Sequence, residues 1–162
     1  MTVSIRMAGP ADAEALADIY LACRRDMPYA PLAHGDAAVH AWFANALLPA
    51  GGVWLAERDG GIAGFAACSE QDGVLWLDQL YVDAGHRNAG IGGALLERVV
   101  LWQTRACRLH VFQANAGARR FYEAHGFTLL SLGDGQDNEE RCPDALYQWR
   151  PDTKERPCLK NC

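Results

Sequence analysis

The chain has 162 residues, is 50% hydrophobic and 22% charged, and carries a net charge of -5. This length buries a core in one domain without disulfides or metals, and no apolar run approaches the roughly 20 residues needed to cross a bilayer. The acidic balance excludes nucleic acid as the main partner, because phosphate binding needs a concentrated basic face.

Thr2 to Met7 alternates as a short strand, and Pro10 with Asp12 starts an amphipathic helix through about Arg24. Met27-Pro28-Tyr29-Ala30-Pro31 cannot continue it, since each proline disfavours helical geometry in its predecessor. A second helix is expected from Asp36 to Leu48, with Val39, Trp42, Phe43, Ala46 and Leu47 as its apolar stripe, and Pro49-Ala50-Gly51-Gly52 stops it. Val53 to Arg58, Ile62 to Ser69 and Val74 to Val82 read as an antiparallel meander, with turns at Asp59-Gly60-Gly61 and Gln71-Asp72-Gly73. A helix from about Gly90 to Thr104, a strand Arg108 to Phe112 and a short helix Ala116 to His125 follow. Phe127 to Leu132 and Ala145 to Arg150 are a last pair of strands around a polar loop, Gly133 to Pro143. Residues 1–150 are thus expected to form a single domain and 151–162 a polar tail.

The segment from Leu80 to Leu96 runs from a strand through a glycine turn into a helix. Such a turn converges backbone N–H groups and a helix dipole on one point, an anion site. Gly90 and Gly92 let a pyrophosphate approach the backbone, and Arg87 adds charge-assisted bonds. A dinucleotide fingerprint does not fit, because the glycines follow a meander and the third glycine is missing.

Arg87, Gly90 and Gly92 instead resemble the cofactor motif of the GNAT superfamily of N-acetyltransferases, an Arg or Gln, two residues, Gly, any residue, and Gly or Ala. A second family signature is matched by Asn115, Ala118, Phe121, Tyr122, Gly126 and Phe127. The resemblance spans Val3 to Leu132. It implies an α/β (α+β) fold: a mixed, mostly antiparallel sheet of six to seven strands with about four helices, splayed between the fourth and fifth strands, where acetyl-CoA lies. It also implies direct transfer to an amine in a ternary complex. Leu80, Tyr81 and Val82 would pair with pantetheine through their backbone. Arg87, Asn88, Ala89, Gly90, Ile91, Gly92 and Gly93 would hold the pyrophosphate, and Asn115, Ala118 and Phe121 would complete the cofactor site.

By the same resemblance Tyr122 is the general acid for the leaving thiolate. Asn115 also begins the last helix, where it caps orphan N–H groups whatever its other role. Period-2 alternation puts Trp76, Asp78, Leu80 and Val82 on one strand face, so Asp78 is expected beside the acceptor as general base or as the partner of the ammonium group. Glu139, Glu140 and Asp144 join amine recognition if their loop folds back. Trp42 and Tyr29 are expected to shape the pocket. A strand bulge near Leu80 to Val82 is expected to free an N–H for the acyl oxygen. Arg119 and Arg120 are further candidates for the phosphates.

Six cysteines and five histidines show no metal-ligand spacing, so no metal is expected, and Cys68 and Cys107 lack a neighbouring His to activate them. Cys158 and Cys162 stand apart in the polar tail. The first ten residues show no secretory signal pattern, which gives a cytoplasmic expectation with no membrane partner. A homodimer is compatible with the sequence. The acceptor is expected to be a small primary amine. The alternatives are a protein N-terminus or lysine, or a non-catalytic CoA-binding sensor or interaction module.

Overall fold

The computed structural model describes residues 2–151. Of the expected tail, 151–162, all but Pro151 lies outside the described residues, Cys158 and Cys162 included.

Strand β1 (Ser4–Met7) passes through a tight turn at Pro10–Asp12 into α1 (Ala13–Arg25). Asp12 fastens this corner by accepting from Arg6 at 2.9 Å and from the Gly9 N–H at 2.8 Å. Helix α2 (Asp36–Trp42) widens to a π turn at Phe43–Leu47 and ends in the single turn α3 (Leu48–Ala50), so the second expected helix is one rod but not a regular one. The meander is β2 (Val53–Arg58), β3 (Gly61–Gln71) and β4 (Val74–Val82). Its turns centre on Asp59-Gly60 (φ 54 and 79) and Asp72-Gly73 (φ 53 and 76). Positive φ at both central residues is what a tight hairpin between right-twisted strands requires. Helix α4 (Ile91–Leu96) also widens, at Glu97–Leu101, and stops short of Thr104. Then come β5 (Cys107–Phe112), α5 (Ala116–Ala124), β6 (Thr128–Gly133) and β7 (Asp144–Trp149).

The seven strands form one open sheet in the order β1-β2-β3-β4-β5-β7-β6, so the last strand inserts between β5 and β6. All neighbours are antiparallel except β4 and β5. That parallel ladder has only the rungs Leu75↔Cys107 and Trp76↔Arg108. Beyond Trp76 the two strands part, which is the splay the family resemblance implies.

Helices cover the sheet on both faces. On one, Leu16 and Leu21 of α1 and Phe43 pack on Leu55 and Phe65; on the other, Ile91, Leu95 and Leu96 of α4 pack with Leu109 and Tyr147. Each such side chain contributes about 1.5–3 kcal/mol when withdrawn from water.

One irregularity in β4 changes the site. Ala67 faces Gln79 while Cys68 faces Leu77, so Asp78 is an extra residue with no partner on β3. A bulge of this kind reverses the alternation of side chains. Leu75 and Leu77 point into the core under α4, and after the bulge it is Leu80 and Val82 that pack there, while Tyr81 joins the core under α1. The expectation that Trp76, Asp78, Leu80 and Val82 share a face is therefore corrected. The bulge itself falls at Asp78, just before the stretch Leu80 to Val82 near which it is expected.

Candidate active site

Where β4 and β5 part, a cavity of about 820 Å³ opens between them. Leu77 to Tyr81 of β4, His110 to Phe112 of β5 and Asn115, Ala118 and Tyr122 of α5 line it. Tyr20 and Arg24 of α1, Trp42 and the loop between β6 and β7 close it. Tyr29 meets the cavity wall edge-on, its ring 6.1 Å from Phe112. The polar loop does fold back: Glu139, Glu140 and Asp144 all reach the cavity. Glu140 meets Arg24 at 3.3 Å and Glu139 pairs with His34, so two ties roof the space.

Asn115 caps α5 as expected, its Oδ1 accepting from the Ala118 N–H at 3.1 Å. The helix then places Tyr122 between Phe121 and Phe127, at ring distances of 5.3 and 5.5 Å. Tyr122 faces the cavity, whereas Phe121 turns under α4. Burial pushes the Tyr122 phenol above its ordinary value. It therefore keeps its proton at neutral pH and is available as a donor. Among the described residues, no hydrogen bond engages its hydroxyl.

Asp78 lines the cavity at the bulge; burial raises its carboxyl, and a hydrogen bond from Ser69 works against that rise. Among the lining residues that went unread in the sequence are Arg24 and His110. Arg24 is 4% exposed and donates to Tyr20 Oη at 3.0 Å and to the Ala30 carbonyl at 2.9 Å. A signal existed: Arg24 continues the stripe Ala13, Leu16, Ala17, Tyr20 at helical spacing, which puts it on the buried side of α1. His110 stacks on Trp76 across the splay. Only its parity, opposite to buried Leu109, marked its face.

The glycine turn lies beside the cavity. Asn88 and Gly90 have φ of 61 and 78, left-handed geometry that glycine adopts without strain. Gly90 caps α4 without a side-chain bond, leaving the first-turn amides of Ile91, Gly92 and Gly93 without intrahelical acceptors. A Cβ on Gly90 would meet nothing within 4 Å, and one on Gly92 would stand 3.4 Å from Phe121 Cζ. Gly92 therefore brings α4 close to Phe121, whereas Gly90 serves the turn's conformation. Asn88 and Ala89 are exposed and Ile91 is buried, anchoring the helix start. Arg87 is half-exposed and its Nη2 lies 3.6 Å from Asp26 Oδ2 and 3.8 Å from Cys23 Sγ. Uncapped amides and an adjacent guanidinium are the chemistry a pyrophosphate needs, so the residues fit that group. Leu80, Tyr81 and Val82 pair with Ala66, Phe65 and Gly64 on one edge, while their other edge faces the splay.

Among the described residues no cluster of His, Cys, Asp and Glu could hold a metal, and no helix is long and apolar enough to cross a membrane. Burial pushes the Cys68 and Cys107 thiols up to about 12, which leaves them unreactive. Arg119 donates to Tyr147 Oη at 3.0 Å and Arg120 is exposed.

The model of the acetyltransferase (GNAT) family matches residues 14–127. The chain belongs to the GNAT family. It is accordingly a GNAT-type acetyltransferase. No curated protein matches it by sequence. Among solved structures, the GNAT domain is similar in fold to the apo form of YjaB from Escherichia coli, at 22% identity and a TM-score of 0.70, over 94% of this chain and 100% of that one. Ard1 from Thermoplasma volcanium aligns at 18% identity and a TM-score of 0.74, over 94% and 99%. yncA from Salmonella typhimurium, solved with its cofactor acetyl-CoA, aligns at 21% identity and a TM-score of 0.72, over 98% and 99%.

Proposed function

We propose that this GNAT enzyme acetylates a primary amine of a small molecule by direct attack in a ternary complex. The observation that carries the reading is the roof of the cavity. The Arg24–Glu140 and His34–Glu139 ties join α1 and the segment after it to the β6–β7 loop. A cavity of about 820 Å³ crossed by these two ties suits a small amine better than an extended peptide.

In this reading acetyl-CoA lies in the splay with its pantetheine along the free edge of Leu80, Tyr81 and Val82. Its pyrophosphate meets the amides of Gly90, Ile91, Gly92 and Gly93, with Arg87, Asn88 and Ala89 forming the turn. Asn115 and Ala118 hold the α5 side, and Phe121 supports the turn from behind by packing against Gly92. Asp78 and the carboxylates of Glu139, Glu140 and Asp144 attract the ammonium group, since an anionic enclosure concentrates a cation. Tyr122 donates its proton to the sulfur as the C–S bond breaks. A protonated, buried phenol is suited to that task, because exclusion of water strengthens each polar interaction at the reacting atoms.

A thiol-release assay with acetyl-CoA against small amines and peptides tests the reading. Turnover is expected with small amines. Turnover confined to peptides would refute the small-molecule acceptor.

A further inference from the structure

His110 belongs to none of the motifs that carry the family resemblance, yet it is the imidazole nearest the parting of the strands. The last rung of the β4–β5 ladder is Trp76↔Arg108, and His110 stands two residues beyond it on β5. Its ring lies flat on the Trp76 indole, at 5.4 Å between centroids and 11° between planes. Its Nδ1 lies 3.6 Å from Asp144 Oδ2. The Asp144 carboxylate is itself held by Asn138 Nδ2 at 3.3 Å. Among the described residues Nε2 has no hydrogen bond, and His110 lines the same cavity as Asp78 and Tyr122.

We propose that His110 is the general base that deprotonates the acceptor amine, with Asp144 as its positioning residue; this rests on the amine acetylation proposed above. A carboxylate beside Nδ1 favours the tautomer with its proton there, which leaves the Nε2 lone pair free. The ammonium loses one proton to Nε2, and the amine lone pair then attacks the acetyl carbonyl carbon. When the adduct collapses, the C–S electron pair goes to sulfur, which takes the Tyr122 proton. The nitrogen gives up its second proton, which restores Tyr122, and His110 releases the first to water. The imidazolium formed on the way lies between an indole face and a carboxylate, and both stabilise positive charge. The side chain is 56% exposed, so its proton has a route to solvent. The other charged or titratable groups lining the same cavity are Asp144 on β7, Asp78 on β4, the Arg24–Glu140 and His34–Glu139 pairs, Tyr20, Tyr81 and Tyr122, and Asp134 and Asp137 of the loop.

The test uses the full chain, acetyl-CoA and two amines of similar shape, benzylamine and aniline. Aniline is already neutral at pH 7 and needs no base before attack. His110→Gln is expected to slow single-turnover transfer to benzylamine roughly 10²-fold to 10⁴-fold, the residual rate then following the neutral fraction of the amine as pH changes. It should leave aniline acetylation and acetyl-CoA affinity, measured by calorimetry, unchanged. Asp144→Asn should slow benzylamine transfer less. Equal losses with both amines would assign His110 a structural role, and an undiminished benzylamine rate would place the base elsewhere; either overturns the proposal alone. A wild-type protein that binds acetyl-CoA but acetylates neither amine would overturn the small-amine reading, and the base assignment with it.

Discussion

Arg24 on the first helix and Glu140 in the β6–β7 loop meet at 3.3 Å, and Arg24 is 4% exposed there. The same guanidinium donates to the Ala30 carbonyl at 2.9 Å, so one side chain joins α1, the segment after it and the loop. The roof of the cavity between β4 and β5 rests on that junction.

Arg24→Met keeps much of the stem but leaves the Ala30 carbonyl and the Glu140 carboxylate without their donor. An unsatisfied buried acceptor costs about 1–3 kcal/mol, so urea unfolding should show a loss of that order. The KM for the amine should rise while acetyl-CoA affinity stays the same. Unchanged stability together with unchanged KM would show that the roof does not depend on this residue.

Gly90→Ala tests the turn. An alanine held at φ 78 is strained by about 1–2 kcal/mol, and the strain is relieved when the turn relaxes away from this shape. Acetyl-CoA binding should weaken about tenfold by calorimetry, with the chain still folded. Gly92→Val should act through Phe121, 3.4 Å from the new Cβ, and lower the melting temperature as well. Normal acetyl-CoA binding by a folded Gly90→Ala variant would remove the turn from the cofactor site.

Alkaline stability follows from the phenols. Burial raises Tyr81 and Tyr122 above the ordinary value of 10.0, and Tyr20, Tyr29 and Tyr147 are raised as well. The folded state thus holds these protons more tightly than the unfolded chain does. Their effect on stability is constant below pH 10.0 and turns unfavourable as pH rises above it, where only the unfolded chain ionises. Urea midpoints measured across that pH should fall, and phenolate absorbance should appear together with unfolding. Phenolate absorbance from all five tyrosines of a folded chain at their ordinary pH would contradict the burial of Tyr81 and Tyr122.

The meander and the glycine turn were legible because Asp-Gly pairs, glycines and prolines act locally. Asn115 was legible as a cap for the same reason. The bulge at Asp78 was not, because nothing in Leu77-Asp78-Gln79 distinguishes an extra residue from a paired one; the register is set against β3 from outside the strand. Nor was the place of β7 between β5 and β6, which depends on long-range pairing. His110 and Asp144 lie 34 positions apart in sequence, and only that insertion makes them neighbours. Arg24 was legible in principle, since its helical stripe is regular, but an arginine on a buried stripe runs against the usual exposure of that residue.

Tyr122→Phe gives the cleanest separation of chemistry from structure. Among the described residues the hydroxyl makes no hydrogen bond, so its removal breaks none and keeps the ring against Phe121 and Phe127. The melting temperature should not fall. Acetyl-CoA affinity should hold too, because the lost interaction forms only as charge develops on sulfur. The chemical step should slow roughly 10²-fold to 10⁴-fold, the usual contribution of a positioned acid. Steady-state turnover hides such a loss when product release is slow, so the rate to compare is that of a single turnover after rapid mixing. A donor of high pKa should also be felt most by an acceptor whose attack is fast enough to make C–S cleavage limiting, so the deficit should grow with amine nucleophilicity. A folded variant with an undiminished single-turnover rate would remove Tyr122 as the acid and leave solvent to protonate the thiolate.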